Sequence, residues 1–341
     1  MLGSNDLGGT TMRRLALLLC TVLLAPLLLT AAAAQSLTDR PITLVTGFAP
    51  GGSTDIASRL ISERFAANIG PGARMVVENR PGASGTVAGD WLRRQNPDGF
   101  TIMLIEVSSH AIAPAALVGG TPFDPVGDFT HIGMVGTAPL ILISNPRFPA
   151  TNAREAIERL RQSRNEELAY ATSGVGSIPH LAVEMLAARI GARFTHVPYR
   201  SGGLMLTAIH QGEGQFGIAV LASAAAQVRD GLVRGLAVTS RERFPSFPEV
   251  PTLMESALPD FEMSTWNMII GPPRMPAPVL AQLNRALAAT IAEAPIRERL
   301  LTAGVTAWSG ANTPEVARDF LQAEVNKYRE VVARTGIRLE R

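Results

Sequence analysis

From Pro41 onward, short apolar runs alternate with segments of helical periodicity, and few residues separate one from the next. Residues 42–46 (ITLVT) read as a buried strand. Residues 54–69 read as a helix: Ile56 and Leu60, and Ala57, Ile61 and Phe65, recur at helical spacing, and Gly70 ends the run. Residues 74–77 and 101–105 are further strands, with a helix over 85–95 between them. Short βα and αβ connections of this sort imply a parallel sheet with helices on its faces. That constraint fixes the class as α/β.

A second series follows. Strands are expected at 132–135, 140–144, 169–172, 194–197, 216–220 and 236–239, with helices at 152–164, 179–190, 203–211 and 222–230. Asn152 and Glu155 stand at capping-box spacing. After the proline-rich FPSFPEVP (244–251) come a strand near 266–270 and helices at 277–292, 296–302 and 314–334. The first unit has few strands before His110, and the last third needs a sheet to pack on. The C-terminal part is therefore expected to return to the first unit. The expected lobes are 36–137 with 256–341, and 138–255, joined by crossovers near Ala138 and between Ser240 and Glu262. Such a discontinuous pair gives a hinge and a cleft.

The N-terminus carries an address. Met12-Arg13-Arg14 supplies positive charge, residues 15–29 are almost wholly apolar, and Ala32 to Ala34 offer a small-residue cleavage site before Gln35. This reads as a secretory signal peptide over residues 1–34, with Met12 as a candidate start. An apolar core of roughly 15 residues falls short of the ~20 that a membrane span needs. Leu19, where a lipoprotein would need a small residue, argues against lipidation at Cys20, and cleavage removes this one cysteine. The expected product is a soluble exported protein without disulfides. Apolar content of 46% with 18% charged residues fits a packed globular chain, and a net charge of +2 is no footprint for nucleic acid.

Glycine turns carry the functional signal. In GFAPGGSTD (47–55), Gly51 and Gly52 precede a helix whose first N–H groups lack intrahelical partners and carry the positive end of its dipole. A carboxylate or other anion can bind there without lysine or arginine. Ser53 and Thr54 add hydroxyls, and Asp55 caps the helix or orients the loop. TSGVGSIPH (172–180) repeats the pattern, with Thr172, Ser173 and Ser177 as hydroxyl donors and Gly176 as a backbone donor. VENRPGASG (77–85) and IEVSSH (105–110) end two more strands, and Ser108 or Ser109 could reach a ligand there. Each stretch alone is also readable as a plain βα turn. Neither glycine turn has the dinucleotide-binding or Walker pattern.

Together with RPI from Arg40, PDGFT from Pro97, HVPYR from His196, LAVTS from Leu236 and FPEVPT from Phe247, these segments closely resemble, in order, the receptors of tripartite tricarboxylate transporters, the Bug or TctC-type binding proteins. The resemblance runs from about Thr38 to the end. It implies a two-lobed periplasmic binding protein of type II-like fold, each lobe a mostly parallel sheet flanked by helices. It implies one ligand carboxylate held between two βα loops, here residues 48–55 from Phe48 to Asp55 and 172–177, with His180 on the following helix. It further implies a monomer without cofactor, served by a membrane permease of one large and one small subunit, or a sensor protein in its place. Where relatives carry acidic or longer polar side chains, this chain has Gln215 and Ala219. That departure suggests a ligand without an amino group.

An exported hydrolase is the rival class. No G-x-S-x-G elbow occurs, and His110, His131, His180, His196 and His210 form neither H-E-x-x-H nor an i,i+4 pair. Neither a catalytic residue nor a metal site is expected.

Overall fold

The computed structural model describes residues 36–163, 167–256, 258–336 and 338. The expected signal segment, with Cys20, lies outside the described residues. In chain order the first strands and helices are β1 (Ile42–Thr46), α1 (Ser53–Ile69), β2 (Met75–Asn79), α2 (Thr86–Leu92) and β3 (Thr101–Glu106). A π-type turn at Ser108–Ile112 then leads into the short helix α3 (Ala113–Ala116). β4 (Thr130–Ser144) is followed by α4 (Ala153–Arg161), β5 (Ala169–Thr172), α5 (Ile178–Ile190), β6 (Thr195–Pro198) and α6 (Gly202–Gln211). Next come β7 (Phe216–Val220), α7 (Leu221–Arg229), β8 (Arg234–Val238) and α8 (Leu253–Ser256). The chain closes with β9 (Ser264–Gly271), α9 (Ala277–Ala292), α10 (Ala294–Thr302), β10 (Thr306–Ala307) and α11 (Pro314–Thr335).

β4 is the spine. The sequence suggests two strands, at 132–135 and 140–144; the structure has one strand of 15 residues. Register shifts near Gly133 and Gly136 bend it without breaking it. Gly136 also admits β10, since a Cβ there would lie 2.3 Å from the Thr306 carbonyl oxygen. Residues 130–139 pair antiparallel with β9, and residues 140–144 pair antiparallel with β7 and β8. β9 in turn pairs antiparallel with β3, which extends through parallel β1 to β2. On the other side β7 extends through parallel β5 to β6.

Buried on both faces, the second half of β4 reads as the unbroken apolar run LILI, as strands covered on two sides do. Leu140 and Leu142 join the large core cluster, whereas Ile141 and Ile143 join a second cluster with Met205 and Ile209. α9 packs on α1 and β4, and α11 packs on β4 and on the turn after β3. The C-terminal helices thus cover the sheet that the first strands begin.

The signs of the pairings place the strand ends. β3 runs the same way as β4, because both oppose β9; β7 runs against β4. β3 ends at Glu106, opposite Asn267, which lies opposite Gly136; β7 ends at Val220, opposite Leu140. Both sets of parallel strands therefore point their C-terminal ends at the middle of β4. In open α/β sheets, ligands bind beyond those ends.

A knot of hydrogen bonds holds the crossover. The buried Thr239 accepts from Leu140 N at 2.9 Å through Oγ1, which donates to the Met263 carbonyl at 2.6 Å. Its backbone adds Thr239 N to Leu140 O at 2.9 Å and Met263 N to Thr239 O at 3.2 Å. One side chain thus joins the two segments that pass between the sheets. Thr239→Val keeps the shape but strands the Leu140 amide, and a buried unsatisfied donor costs about 1–3 kcal/mol. Urea unfolding should show that loss for Thr239→Val and a much smaller one for Thr239→Ser.

Candidate ligand-binding site

The loops beyond the strand ends meet in a seam. Ala49 N donates to Arg200 O at 3.3 Å, Ser84 Oγ to Val175 O at 2.5 Å, and Ile178 N to Ser108 Oγ at 2.9 Å. Two adjoining spaces remain beside these contacts. The outer chamber, about 200 Å³, has mainly apolar walls, including Phe48, Leu117, Val175 and Tyr199, with the exposed Arg200 at its edge. The inner chamber holds about 10 Å³ and is lined by Phe48, Gly52, Ser53, Glu106, Ser173 and Gly202, among others. Phe48 and Ser173 line both.

Helix starts frame the inner chamber. The first internal bond of α1 runs from Ile56 N to Gly52 O, so the amides of Ser53, Thr54 and Asp55 have no helical carbonyl behind them. Gly52 offers no side-chain cap. At α6, Ser201 Oγ takes Leu204 N at 3.3 Å and Ser201 O takes Met205 N at 3.1 Å. The amides of Gly202 and Gly203 are left without helical partners. The two turns interlock: a Cβ on Gly203 would come within 3.1 Å of Gly51 O. Gly52, Ser53 and Gly202 thus bring the starts of α1 and α6, the positive ends of their dipoles, to the wall of the chamber.

The start of α5 is different. Its Ile178 amide is bonded to Ser108, Pro179 has no N–H, and His180 N donates to Ser177 Oγ at 3.3 Å. Ser177 Oγ donates to Gly174 O at 2.7 Å, and Gly176 N donates to His180 Nδ1 at 3.3 Å. Thr172 Oγ1 pairs with His196 Nε2 at 2.6 Å. Thr172, Gly176, Ser177, His180 and Ser108 therefore build the loop and tie it across the seam, and none lines either chamber. His180 stacks on His196 at 4.0 Å, and burial pushes both down to about 4.

Asp55 is a brace. Its carboxylate accepts from Gly51 N at 3.0 Å, Arg59 Nε at 3.0 Å and Asn79 Nδ2 at 2.9 Å. Asn79 also reaches Phe48 O at 3.0 Å, so the turn is pinned at both ends. Gly51 takes φ +80°, a conformation glycine adopts without strain. Thr54 is buried with a hydroxyl that has no hydrogen-bond partner.

The sequence reading missed Gly202, Ser201 and Glu106. The signal for the first two was present: PYRSGG, leading into α6, uses the small residues of PGGS in the opposite order. Glu106 was visible as a carboxylate ending an apolar strand. The expectation drawn from Ala219 does not survive. Ala219 is fully buried in the second core cluster, and Gln215 accepts from Ala169 N at the far end of β7. Neither reaches the chambers, so they give no ground for excluding an amino group.

The family description "Tripartite tricarboxylate transporter family receptor" (TctC) matches residues 58–337. This chain belongs to that family. Among relatives, the BugT protein of Bordetella pertussis is 29% identical over 301 residues, 88% of this chain and 91% of its own length. A protein encoded in the tcbD–tcbE intergenic region of a Pseudomonas species is 32% identical, with 86% of each chain covered. The solved structure of the periplasmic binding protein BugD is 27% identical with a TM-score of 0.83, covering 89% of this chain and 99% of that one. MatC of Rhodopseudomonas palustris, solved with bound malate, is 28% identical with a TM-score of 0.80, covering 86% and 99%. Rpa4515 of R. palustris, solved with adipate, is 29% identical with a TM-score of 0.83, covering 89% and 99%. The two-lobed periplasmic-binding-protein fold follows. Among the described residues no helix is long and apolar enough to cross a membrane, and no group of three or more His, Cys, Asp or Glu could hold a metal ion.

Burial alone would push Asp55 up, but bonds from Arg59, Gly51 and Asn79 outweigh it and hold the carboxyl below its usual range. A depressed folded value stabilises above the unfolded carboxylate value of about 3.9, and the contribution disappears as pH falls through the lower folded value. Asp55→Ala should cost about 1.5–3 kcal/mol at pH 7, the range for hydrogen bonds to a charged group. Urea unfolding at neutral pH should show that gap, and repeating it below pH 4 should show the gap narrowing.

Proposed function

We propose that this chain is a periplasmic receptor that captures a small organic carboxylate in the seam between its lobes and delivers it to a two-subunit permease. The observation that carries this reading is the pair of helix starts at the inner chamber: α1 has no side-chain cap, and α6, though capped by Ser201 at Leu204, leaves its first amides without helical partners. Their free amides supply the donors a carboxylate needs without a cationic side chain. The apolar outer chamber of about 200 Å³ suits a short carbon skeleton. Relatives solved with malate and adipate point to the same ligand class.

The lobes in this reading are residues 36–137 with 256–341, and 138–255, hinged at the crossover around Leu140 and Thr239. Seam bonds worth about 1 kcal/mol each are weak enough to open and admit ligand. The fit of a ligand across the seam then favours closure, since it binds the closed form better than the open one. The leader reading of residues 1–34 accounts for delivery to the periplasm.

A thermal-shift screen over mono-, di- and tricarboxylates tests the proposal. A ligand at a hundred times its dissociation constant should add about 2.7 kcal/mol, a shift of several degrees. Gly52→Val should abolish that shift. Its Cβ fits, with nearest atoms at 3.4–3.6 Å, but the methyl groups would crowd the chamber. The unliganded variant should melt within a few degrees of wild type. Undiminished affinity in Gly52→Val, or chemical conversion of the bound acid, would contradict the proposal.

A further inference from the structure

Glu106 has no part in the clasp described so far. It ends β3, is 3% exposed, and lines the inner chamber with Gly52, Ser53 and Gly202. No cationic side chain pairs with it among the described residues. Thr265 Oγ1 donates to its Oε2 at 3.2 Å, and Ser108 supplies further hydrogen bonds. Glu106 is thus an anionic group beside the positive ends of α1 and α6. A ligand carboxylate held by those helix starts must enter the same space. That space is about 10 Å³, room for roughly one water molecule. Two carboxylates crowded together at one site do not both stay ionised, because each raises the proton affinity of the other.

We propose that Glu106 binds a proton when a ligand carboxylate enters the inner chamber and then donates a hydrogen bond to that carboxylate. The inference rests on the receptor function proposed above and adds that capture is coupled to protonation. The balance is simple. A ligand carboxylate, the Glu106 carboxylate and one proton from solvent become a neutral Glu106 carboxyl group hydrogen-bonded to a bound anion. No covalent bond other than O–H forms, and no electron moves.

The surroundings suit this role. Burial pushes Glu106 up to about 6 without any ligand, against the opposing bonds from Ser108 and Thr265. Above that value, each pH unit imposes about a tenfold penalty for supplying the proton. The ionisable groups on neighbouring elements are few. In the turn after β3, burial and then His131 push His110 down to about 3; on α5, burial pushes His180 down to about 4. His131 on β4 is pushed down to about 4, chiefly by burial. These imidazoles therefore stay neutral between pH 5 and 8. Asp55 and Arg59 on α1 pair with each other. On α11, burial pushes the Tyr328 phenol above its usual range, and Glu324 pairs with Lys327 and Trp266 Nε1. The nearby residues of β9, α6 and α7 are Thr265, Asn267, Gly202 and Ser223, none of which titrates.

Calorimetric titration of the full chain with adipate and with malate, from pH 5.5 to 8 in buffers of different ionisation enthalpy, tests the coupling. Wild type should take up close to one proton per ligand at pH 8 and only about a quarter of one at pH 5.5. Its affinity should fall about tenfold per pH unit above about 6. Glu106→Gln keeps a neutral donor, so its binding should be independent of pH. It should match wild type at pH 5.5 and bind about a hundredfold tighter at pH 8. Wild-type binding without proton uptake would overturn the inference while leaving the carboxylate receptor intact. So would an affinity that rises with pH and vanishes in Glu106→Gln, the signature of an ionised Glu106 accepting from a ligand donor. If neither acid binds either protein at any pH, this inference falls, while the receptor reading is decided by the wider carboxylate screen. The proton count in wild type stands even if the variant folds poorly.

Discussion

Strand β4 belongs to both sheets, and the position of the site follows from that single strand. Its first ten residues pair with β9, and its last five with β7 and β8. Since β9 opposes β3 while β7 opposes β4 itself, the parallel strands on the two sides run toward each other. Every loop that follows such a strand then opens on the seam. Thr239 ties the return crossover to β4 at the same level. The glycine turns matter because of where this topology delivers them.

What the turns deliver is uncharged. An arginine clamp would bring its own charge, which is costly to bury and to release from an anion. Backbone amides at a helix start are held in place by the helix and need no counter-ion when empty. The nearest lining cation, Arg200, stands exposed at the outer edge, where solvent weakens its pull. Asp55 keeps the first turn in shape by occupying the Gly51 amide, leaving the following amides of α1 to the chamber. Two neighbouring non-glycine residues, Ala83 at φ 42° and Ser84 at φ 53°, adopt left-handed conformations beside the outer chamber. The Ser84 hydroxyl bond across the seam helps offset that strain.

Much of the fold was legible because apolar periodicity reports burial directly. β1, β5, β7 and α9 have the boundaries that the pattern suggests. The pattern suggests two strands where β4 is one. Within the gap, Gly136 makes room for β10, and Pro139 falls where β4 leaves β9 for β7. At the site, the turn before α1 was legible from its glycines. The turn before α5 carried the same signal but is closed by Pro179, Ser108 and Ser177, a matter of tertiary hydrogen bonding. Ser173 of that turn still lines both chambers, and the turn before α6 adds Gly202 to the inner one. Which βα turns face each other depends on strand order, and local sequence does not encode that.

The central claim is that main-chain donors at the starts of α1 and α6 hold the ligand's acid group. A crystal structure of the carboxylate complex tests it most directly. The account predicts carboxylate oxygens about 3 Å from the amide nitrogens of the first turn of α1 and of Gly202. A carboxylate paired instead with the Arg200 guanidinium, or seated outside the seam, would contradict it.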